Sequence, residues 1–363
     1  MKTYIRLFNR YGDLQKVLDN KASVSWEYNR KGGCGQATCT IPTSDDSLEH
    51  AIRPGAFMRV YVDEVIRYTG RLIRATRSGS RGSETLTLTF YGFLIDLSTL
   101  IVNTTYSGEG IKDIVQDILD NYVIPYSDIT YSASDIDDPG YAVSDVVFNH
   151  TVKDAMGLLA SLAGNVEWGV DRNRKFFFKL TDRNIKKVFI FGRDIQSFTE
   201  ERKDDEIINS LNVFGADGIS ITIESSLSIA IYDKRQANLF ETSLGNLSDI
   251  NRLGYTFLKN TASSKRSIKF NYNPKDVFIE ETVPLGAAAV SVLPIRLLPK
   301  YGHTSKYGTS KKYGNLKRDQ FSNIRYAFQQ GGLQVDVTLL DDIPNVGDLQ
   351  KRIEFEVKDL QRR

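Results

Sequence analysis

Residues 151–180, TVKDAMGLLASLAGNVEWGVDRNRKFFFKL, predict a capped helix followed by a β-hairpin. Thr151 is the expected N-cap, and Asp154, three residues later, is the expected capping partner. Gly164 is expected to end the helix. The apolar residues that recur at helical spacing between them are Val152, Ala155, Met156, Leu159 and Leu162. One face of this helix is therefore expected to be buried.

The second half of the segment predicts two short strands. Val166, Trp168 and Val170 alternate with their neighbours, which is typical of a half-buried strand. A turn at 171–174 then leads into a second strand over 175–180. Nothing in this segment is catalytic, and the sequence on both sides of it is rich in strand patterns. That arrangement indicates an architectural protein.

The flanking sequence divides the chain into three regions. Residues 1–102 are β-rich, and their short, evenly spaced strands favour an antiparallel barrel or sandwich. Residues 103–197 add a second amphipathic helix over 111–119, with Ser107 as its expected cap, and form an α+β middle domain. In residues 198–363 the β pattern resumes, with a strand over 228–232 and a helix over 248–260. The fold class is therefore α+β, and mostly β.

Composition excludes several functional classes. The 363 residues carry a net charge of +2, which argues against a dedicated nucleic-acid binder. A strand would point Cys34 and Cys39 to opposite faces, so two free, buried thiols are expected. The N-terminus has no apolar secretion signal, which indicates a protein kept in a cytoplasm. The most apolar run, 283–298, is too short and interrupted to span a membrane.

No recognisable pattern of catalytic or metal-binding residues is present. The three histidines, His50, His150 and His303, are far apart in sequence, and no nucleophile or phosphate-binding motif occurs. Acidic clusters at 45–46, 135–138 and 204–206 could serve glycoside hydrolysis or, at 135–138, calcium. Adjacent acids on polar loops are more typical of solvated turns. The sequence therefore predicts no catalytic residue, no metal site and no cofactor.

One segment, 300–318, is compositionally unusual. It repeats Lys-Tyr-Gly three times and holds six basic and no acidic residues, so a flexible, strongly basic loop is expected. It could dock a protein partner, remain solvated, or contact nucleic acid through lysines on phosphates and tyrosines on bases. The candidate contact residues are Lys300, Tyr301, Lys306, Tyr307, Lys311, Lys312, Tyr313, Lys317 and Arg318.

The order of these features resembles the baseplate hub family of long-tailed bacteriophages and related contractile injection systems. The segments that carry the resemblance are the strand, Gly-Gly-x-Gly turn and small-residue strand over 26–42, the Pro-Gly and paired strands over 54–73, the Tyr-Gly-Phe at 91–93, the capped helix and hairpin over 151–178, the strand over 209–215 and the helix over 248–260. The basic loop over 300–318 is not a feature of that family.

The resemblance implies a structural virion protein rather than an enzyme. Its fold would be two tube-like antiparallel β-barrel domains, 1–102 and 198–363, with the smaller α+β domain 103–197 between them. It would form a homotrimer that joins a six-fold tail tube or distal tail protein to a three-fold spike or fibre. DNA or a tape-measure protein would pass through its channel, and assembly would take place in the bacterial host cytoplasm. Two alternatives are a receptor- or nucleic-acid-binding tail module using the basic loop and a cell-wall hydrolase at the tail tip.

Overall fold

The computed structural model describes residues 3–18, 22–29, 31–42, 53–80, 83–182, 185–272, 278, 288–292, 316–329 and 332–341. The strands are β1 Thr3–Phe8, β2 Leu14–Leu18, β3 Ser23–Asn29, β4 Gly32–Pro42, β5 Phe57–Val62, β6 Val65–Ser80, β7 Ser83–Tyr91, β8 Ile101–Tyr106, β9 Glu109–Gly110, β10 Ala142–Val143, β11 Val146–Thr151, β12 Val166–Val170, β13 Phe176–Leu180, β14 Ile185–Ile190, β15 Ile195–Lys203, β16 Ser210–Phe214, β17 Ser220–Glu224, β18 Gln236–Phe240, β19 Lys265–Tyr272, β20 Ala288–Val292, β21 Leu316–Gln329 and β22 Gly332–Asp341. The α-helices are α1 Ile111–Ile118, α2 Val152–Ala163, α3 Ser226–Tyr232 and α4 Leu247–Thr261. Strands dominate, which confirms the predicted mostly-β class.

One large sheet organises both ends of the chain. Its main path runs β15-β19-β22-β21-β3-β4-β7-β6-β5-β1-β2, and all the pairs along it are antiparallel. The pairing of β3 with β21 joins the N-terminal and C-terminal strands, and there Trp26 stacks on Tyr326 with ring centroids 5.3 Å apart. The inward side chains of both halves bury a single apolar cluster. In the described residues this path does not close on itself, and the arrangement as two separate barrels stays a prediction.

A second core holds the helices. Helices α1, α2 and α4, the hairpin β12–β13, the pair β8–β11 and the three-stranded sheet β17-β16-β18 share it. Helix α2 begins and ends as predicted: the Thr151 hydroxyl accepts a hydrogen bond from the Asp154 N–H at 3.2 Å, and Gly164 is left-handed with φ 80°. Helix α4 also matches its prediction, with Asn246 as the N-cap.

A glycine junction connects the two cores. Strand β12 pairs in parallel with the start of β4, with Gly169 opposite Gly32 and Val170 opposite Gly33. The prediction that β12 is half-buried was wrong, since all five of its residues are buried. The reason is that hairpin strand β12 lies beside β4 as well as beside β13. The glycines at 32–35 therefore begin a strand and permit this close approach, rather than only forming a bend.

Three further sequence predictions were wrong. Residues 228–232 are helical, in α3, because that segment is the crossover that brings β18 parallel to β16. Ser107 does not cap α1; Gly110 holds that position, and the Ser107 hydroxyl donates to the Ser144 carbonyl at 3.2 Å. Cys34 and Cys39 are free and buried as expected, but both lie in the same core. A shift in the pairing register with β3 changes the alternation between them.

In the described part of the chain, no helix is long and apolar enough to cross a membrane.

Candidate functional site

The outer face of β1 and β5 carries a repeated pattern of aromatic and basic residues. Strand β1 reads YIRLF over 4–8, and β5 reads FMRVY over 57–61, so antiparallel pairing puts like beside like. The three opposed pairs are Tyr4–Tyr61, Arg6–Arg59 and Phe8–Phe57. We call these six residues the arginine–aromatic ladder. The residues between them, Ile5 and Leu7, point into the sheet core instead.

Each arginine of the ladder stacks on an aromatic pair. The tyrosine pair, Tyr4 and Tyr61, and the phenylalanine pair, Phe8 and Phe57, both have ring centroids 4.9 Å apart. The Arg6 guanidinium lies 5.1 and 4.7 Å from the two tyrosine rings, and that of Arg59 lies 5.1 and 5.5 Å from the two phenylalanine rings. These distances are typical of cation–π contacts. The four rings are themselves buried, Phe8 and Phe57 within the helical core, so the two guanidinium groups lie half-buried over an aromatic layer.

Two further arginines extend the ladder toward the helical core. Arg174 lies 4.4 Å from the rings of Phe57 and Phe93, and Arg71 lies 5.3 Å from Phe93. Both have a carboxylate partner: Arg174 contacts Asp128 at 2.8 Å, and Arg71 contacts Asp96 at 2.7 Å. This end of the ladder is thus neutralised within the chain.

Burial and neighbouring charges set the pKa values at this end. Burial raises the pKa of the Asp96 carboxyl, and the Arg71 guanidinium opposes that rise. Burial also lowers the pKa of Arg174, which Asp128 opposes and the positive charges of Arg59 and Arg71 reinforce. The pKa of Arg174 is therefore lowered mainly because its guanidinium is partly buried between the rings of Phe57 and Phe93.

Arg6 and Arg59 are not neutralised by any ion pair within the described residues. They lie directly opposite each other in the register, where like charges normally destabilise a sheet. The Nε atom of Arg6 is also buried without a hydrogen-bond acceptor. Stacking on the aromatic rings is the contact that the described residues provide for this pair, and its two positive charges make it a candidate site for an anionic group.

The ladder lies beside an edge of the main sheet that has no partner strand among the described residues. Strand β2 ends the sheet path, and its Leu14 and Val17 side chains are 50% and 42% exposed. At the other end of the path, residues 199–203 of β15 are exposed on both faces. Free strand edges are usually covered by another chain or element. Both ends are therefore candidate assembly surfaces.

Most of the predicted basic loop falls outside the described residues. This holds for Lys300, Tyr301, Lys306, Tyr307, Lys311, Lys312 and Tyr313. Lys317 and Arg318 lie on β21, opposite Ser291 and Val290 of β20, so the prediction of a loop was wrong for these two residues. The role of this loop as a contact site stays a prediction.

The acidic clusters that the structure describes form local structural contacts. Asp135 closes a capping box with Ser132, and Asp137 contacts Lys179 at 2.9 Å. In the third cluster, Asp204 contacts Arg202 at 3.3 Å. The cluster at 45–46 lies outside the described residues, as do His50 and His303. These contacts match solvated, ion-paired turns.

No group of three potential metal ligands occurs within the described ranges. His150 faces Ser243, with 2.7 Å between Nε2 and Oγ. The ladder itself was missed by sequence reasoning, although the mirrored patterns YIRLF and FMRVY were visible. Only the antiparallel register brings their arginines together, and that register is not readable from either strand alone.

Solved structures of phage tail proteins share this fold. The 43 kDa tail protein of prophage MuSo2 from Shewanella oneidensis matches with a TM-score of 0.67 and 11% identity, over 94% of this chain and 98% of that one. A tail protein from Neisseria meningitidis MC58 matches with a TM-score of 0.65 and 12% identity, over 94% and 97%. A PdpA–VgrG complex from Francisella, in a half-lidded form, gives 0.52 and 8%, over 95% and 59%. No family model and no curated protein sequence matches the chain.

Proposed function

We propose that this chain is a structural subunit of a phage-type tail, and specifically a trimeric hub at its baseplate or tip. The observation that carries the proposal is the likeness in fold to two phage tail proteins, which extends over nearly the full length of both partners. At 11% and 12% identity, the likeness concerns architecture rather than any individual site. Because both of these proteins are described as tail proteins, the likeness in fold favours a structural role in a tail.

In this proposal residues 1–102 and 198–363 are the two tube-like units, and 103–197 is the α+β unit between them. Three copies would then supply six similar units around an axis. One side of the ring would meet a six-fold tail tube or distal tail protein, and the other a three-fold spike or fibre. DNA or a tape-measure protein would occupy the channel, and the chain would be part of the virion after assembly in the host cytoplasm.

Two features of the structure support a role in assembly. The pairing of β3 with β21 joins strands of 1–102 and of 198–363 in one sheet, which is compatible with two adjacent units. The same sheet ends in free edges at β2 and β15 within the described residues. Symmetric closure with neighbouring copies would cover such edges.

Electron microscopy of the native assembly, with copies counted, tests the proposal. We expect a ring of three copies around an open axial channel. A monomer, a dimer or a closed particle without a channel would overturn it.

Two alternative functions, a nucleic-acid-binding tail module and a cell-wall hydrolase, can each be distinguished from the hub by a separate measurement. A nucleic-acid-binding tail module would bind DNA with a steep salt dependence that disappears when residues 303–316 are deleted. A cell-wall hydrolase would lose turnover in Asp137→Asn or Asp204→Asn variants. If the chain is a hub, we expect no such DNA binding and no turnover that these variants could remove. Asp137 and Asp204 form ion pairs with Lys179 and Arg202, which is a structural role.

A further inference from the structure

The two ends of the main sheet carry complementary charges. At the β2 end, Arg6 and Arg59 form an opposed basic pair that no described acid neutralises. At the β15 end, the segment 200–206 reads EERKDDE, and three basic residues from neighbouring segments, Arg235, Lys265 and Arg266, contact it. Among the described residues, a basic pair without an ion pair at one end and an acid without an ion pair, Glu201, at the other form the pattern expected where one copy meets the next.

At the β15 end, most charges are already engaged. Glu200 contacts Arg266 at 2.8 Å, and Glu206 contacts Lys203 at 3.1 Å and Lys265 at 3.2 Å. Glu201 has no ion pair within the described residues. Because Glu200 lies opposite core residue Ile268, Glu201 faces the other way, away from the sheet core.

At the β2 end, the basic pair also faces away from the core. Val17 of β2 lies opposite Arg6, on the same face, and is exposed. A strand added beside β2 would cover Val17 and could carry a side chain over the arginines. The tyrosine and phenylalanine pairs occupy the positions on either side of them. The two charges are thus flanked by uncharged rings, and Glu64 already accepts a hydrogen bond from the Tyr4 hydroxyl, so the pair suits one further carboxylate better than a run of phosphates.

We infer that the β2 edge of one copy pairs with the β15 edge of a second copy, and that Glu201 of the second copy enters the Arg6–Arg59 pair. This contact is head-to-tail, so three copies close a ring when each is rotated by a third of a turn relative to the last. It removes both free edges of the sheet and neutralises its repelling arginines in one step. The inference rests on the proposed homotrimer, and it names the surfaces that join its copies.

Cross-linking of cysteine variants tests which edges meet. Val17→Cys and Thr199→Cys chains are purified separately, mixed, and treated with a short bismaleimide, which tolerates a small error in register. The native Cys34 and Cys39 are 3% and 0% exposed, so they will not compete. We expect cross-linked dimers in the mixture and none in either variant alone. A cross-link in Val17→Cys alone would indicate a two-fold contact and would overturn the inference.

Charge reversal tests the role of Glu201 by a separate measurement. In Glu201→Lys, we expect the protein concentration at which half of the trimer dissociates to rise about tenfold or more. Arg59→Glu should have a similar effect, and the variant carrying both changes should recover most of the loss. The matched control is Glu109→Lys, which reverses an exposed acid on β9, a strand outside the main sheet.

Mass photometry of the wild-type chain separates the two ideas. Suppose the wild-type chain is a trimer, but Val17→Cys does not cross-link to Thr199→Cys and the variant with both Glu201→Lys and Arg59→Glu does not recover. The inferred contact is then wrong and the proposed trimer stands. If it stays monomeric at all concentrations and in the native assembly, both fail.

Discussion

Replacing Gly169 by alanine tests the junction between β12 and β4. A Cβ at this position would lie 2.4 Å from the carbonyl carbon of Gly32 and 2.6 Å from the nitrogen of Gly33. These neighbours are backbone atoms, so relief requires the two strands to separate. Gly169 is not among the residues with a positive φ, so its backbone shape accepts alanine and the cost is steric.

The expected loss of stability has two parts. Forcing a methyl group into a packed contact costs roughly 1–3 kcal/mol. Separating β12 from β4 also weakens the hydrogen bonds of their two paired positions, each worth about 1 kcal/mol. We therefore expect the free energy of unfolding to fall by about 2–5 kcal/mol in Gly169→Ala.

The matched control makes the same chemical change where there is room for it. Gly157 lies inside α2, and a Cβ there would meet only Trp168 Cζ2, at 3.9 Å. Alanine is the better helix former, so Gly157→Ala should raise the free energy of unfolding by about 0.5–1 kcal/mol. The two variants are thus expected to have effects of opposite sign.

Urea unfolding followed by tryptophan fluorescence is a suitable assay. The chain has two tryptophans, both buried: Trp168 on β12 is next to Gly169, and Trp26 lies on β3, the strand that pairs with β4. The steric reasoning would be refuted if Gly169→Ala stayed within about 0.5 kcal/mol of wild type, the range of ordinary surface changes. It would also be refuted if Gly157→Ala lost as much stability as Gly169→Ala.

Three further predictions concern buried polar groups. Asp249 is fully buried and accepts hydrogen bonds from the Tyr141 hydroxyl and two backbone N–H groups, so Asp249→Asn should lower the free energy of unfolding by about 2–3 kcal/mol in the same assay. Burial raises the pKa of the Cys39 thiol to about 12, and Cys34 is buried too, so a thiol reagent at pH 8 should label neither in the native protein and both in urea. Burial also raises the pKa of Asp96, so its carboxyl binds a proton more tightly in the folded state. The contribution of Asp96 to stability is therefore complete below the ordinary pKa of a carboxyl and is lost as the pH rises through the folded-state pKa. Urea unfolding at a series of pH values should show wild type losing stability relative to Asp96→Asn over that range.

The elements that sequence could predict are those with local signals. Helix α2 has its cap, its apolar face and its terminal glycine within 14 residues, and its bounds follow from them. The segment of α3 misled because Leu227, Ile229 and Ile231 alternate like a strand. The side chains of Leu227 and Ile231 are 43% and 40% exposed, so this alternation of apolar residues does not mark a buried face.

The features that sequence could not predict depend on contacts between distant segments. The burial of all of β12 requires β4, which precedes it by more than 120 residues. The ladder requires a register between β1 and β5 that no single strand specifies. Composition predicted a basic loop over 300–318, but its last two residues, Lys317 and Arg318, lie in strand β21. Composition alone therefore did not locate the start of this strand.

The pairing of β3 with β21 also affects how the chain is made. Asn29 and Asn323, 294 positions apart, share a hydrogen bond of 2.6 Å at the start of this seam. At about 5–20 residues per second, a ribosome needs roughly 15–60 s to cover that distance. During this time β3 exists without its partner strand, and Trp26 without the Tyr326 ring that covers it. An unpaired hydrophobic edge favours aggregation, so we expect β3 to be an aggregation-prone part of the nascent chain until the last strands emerge.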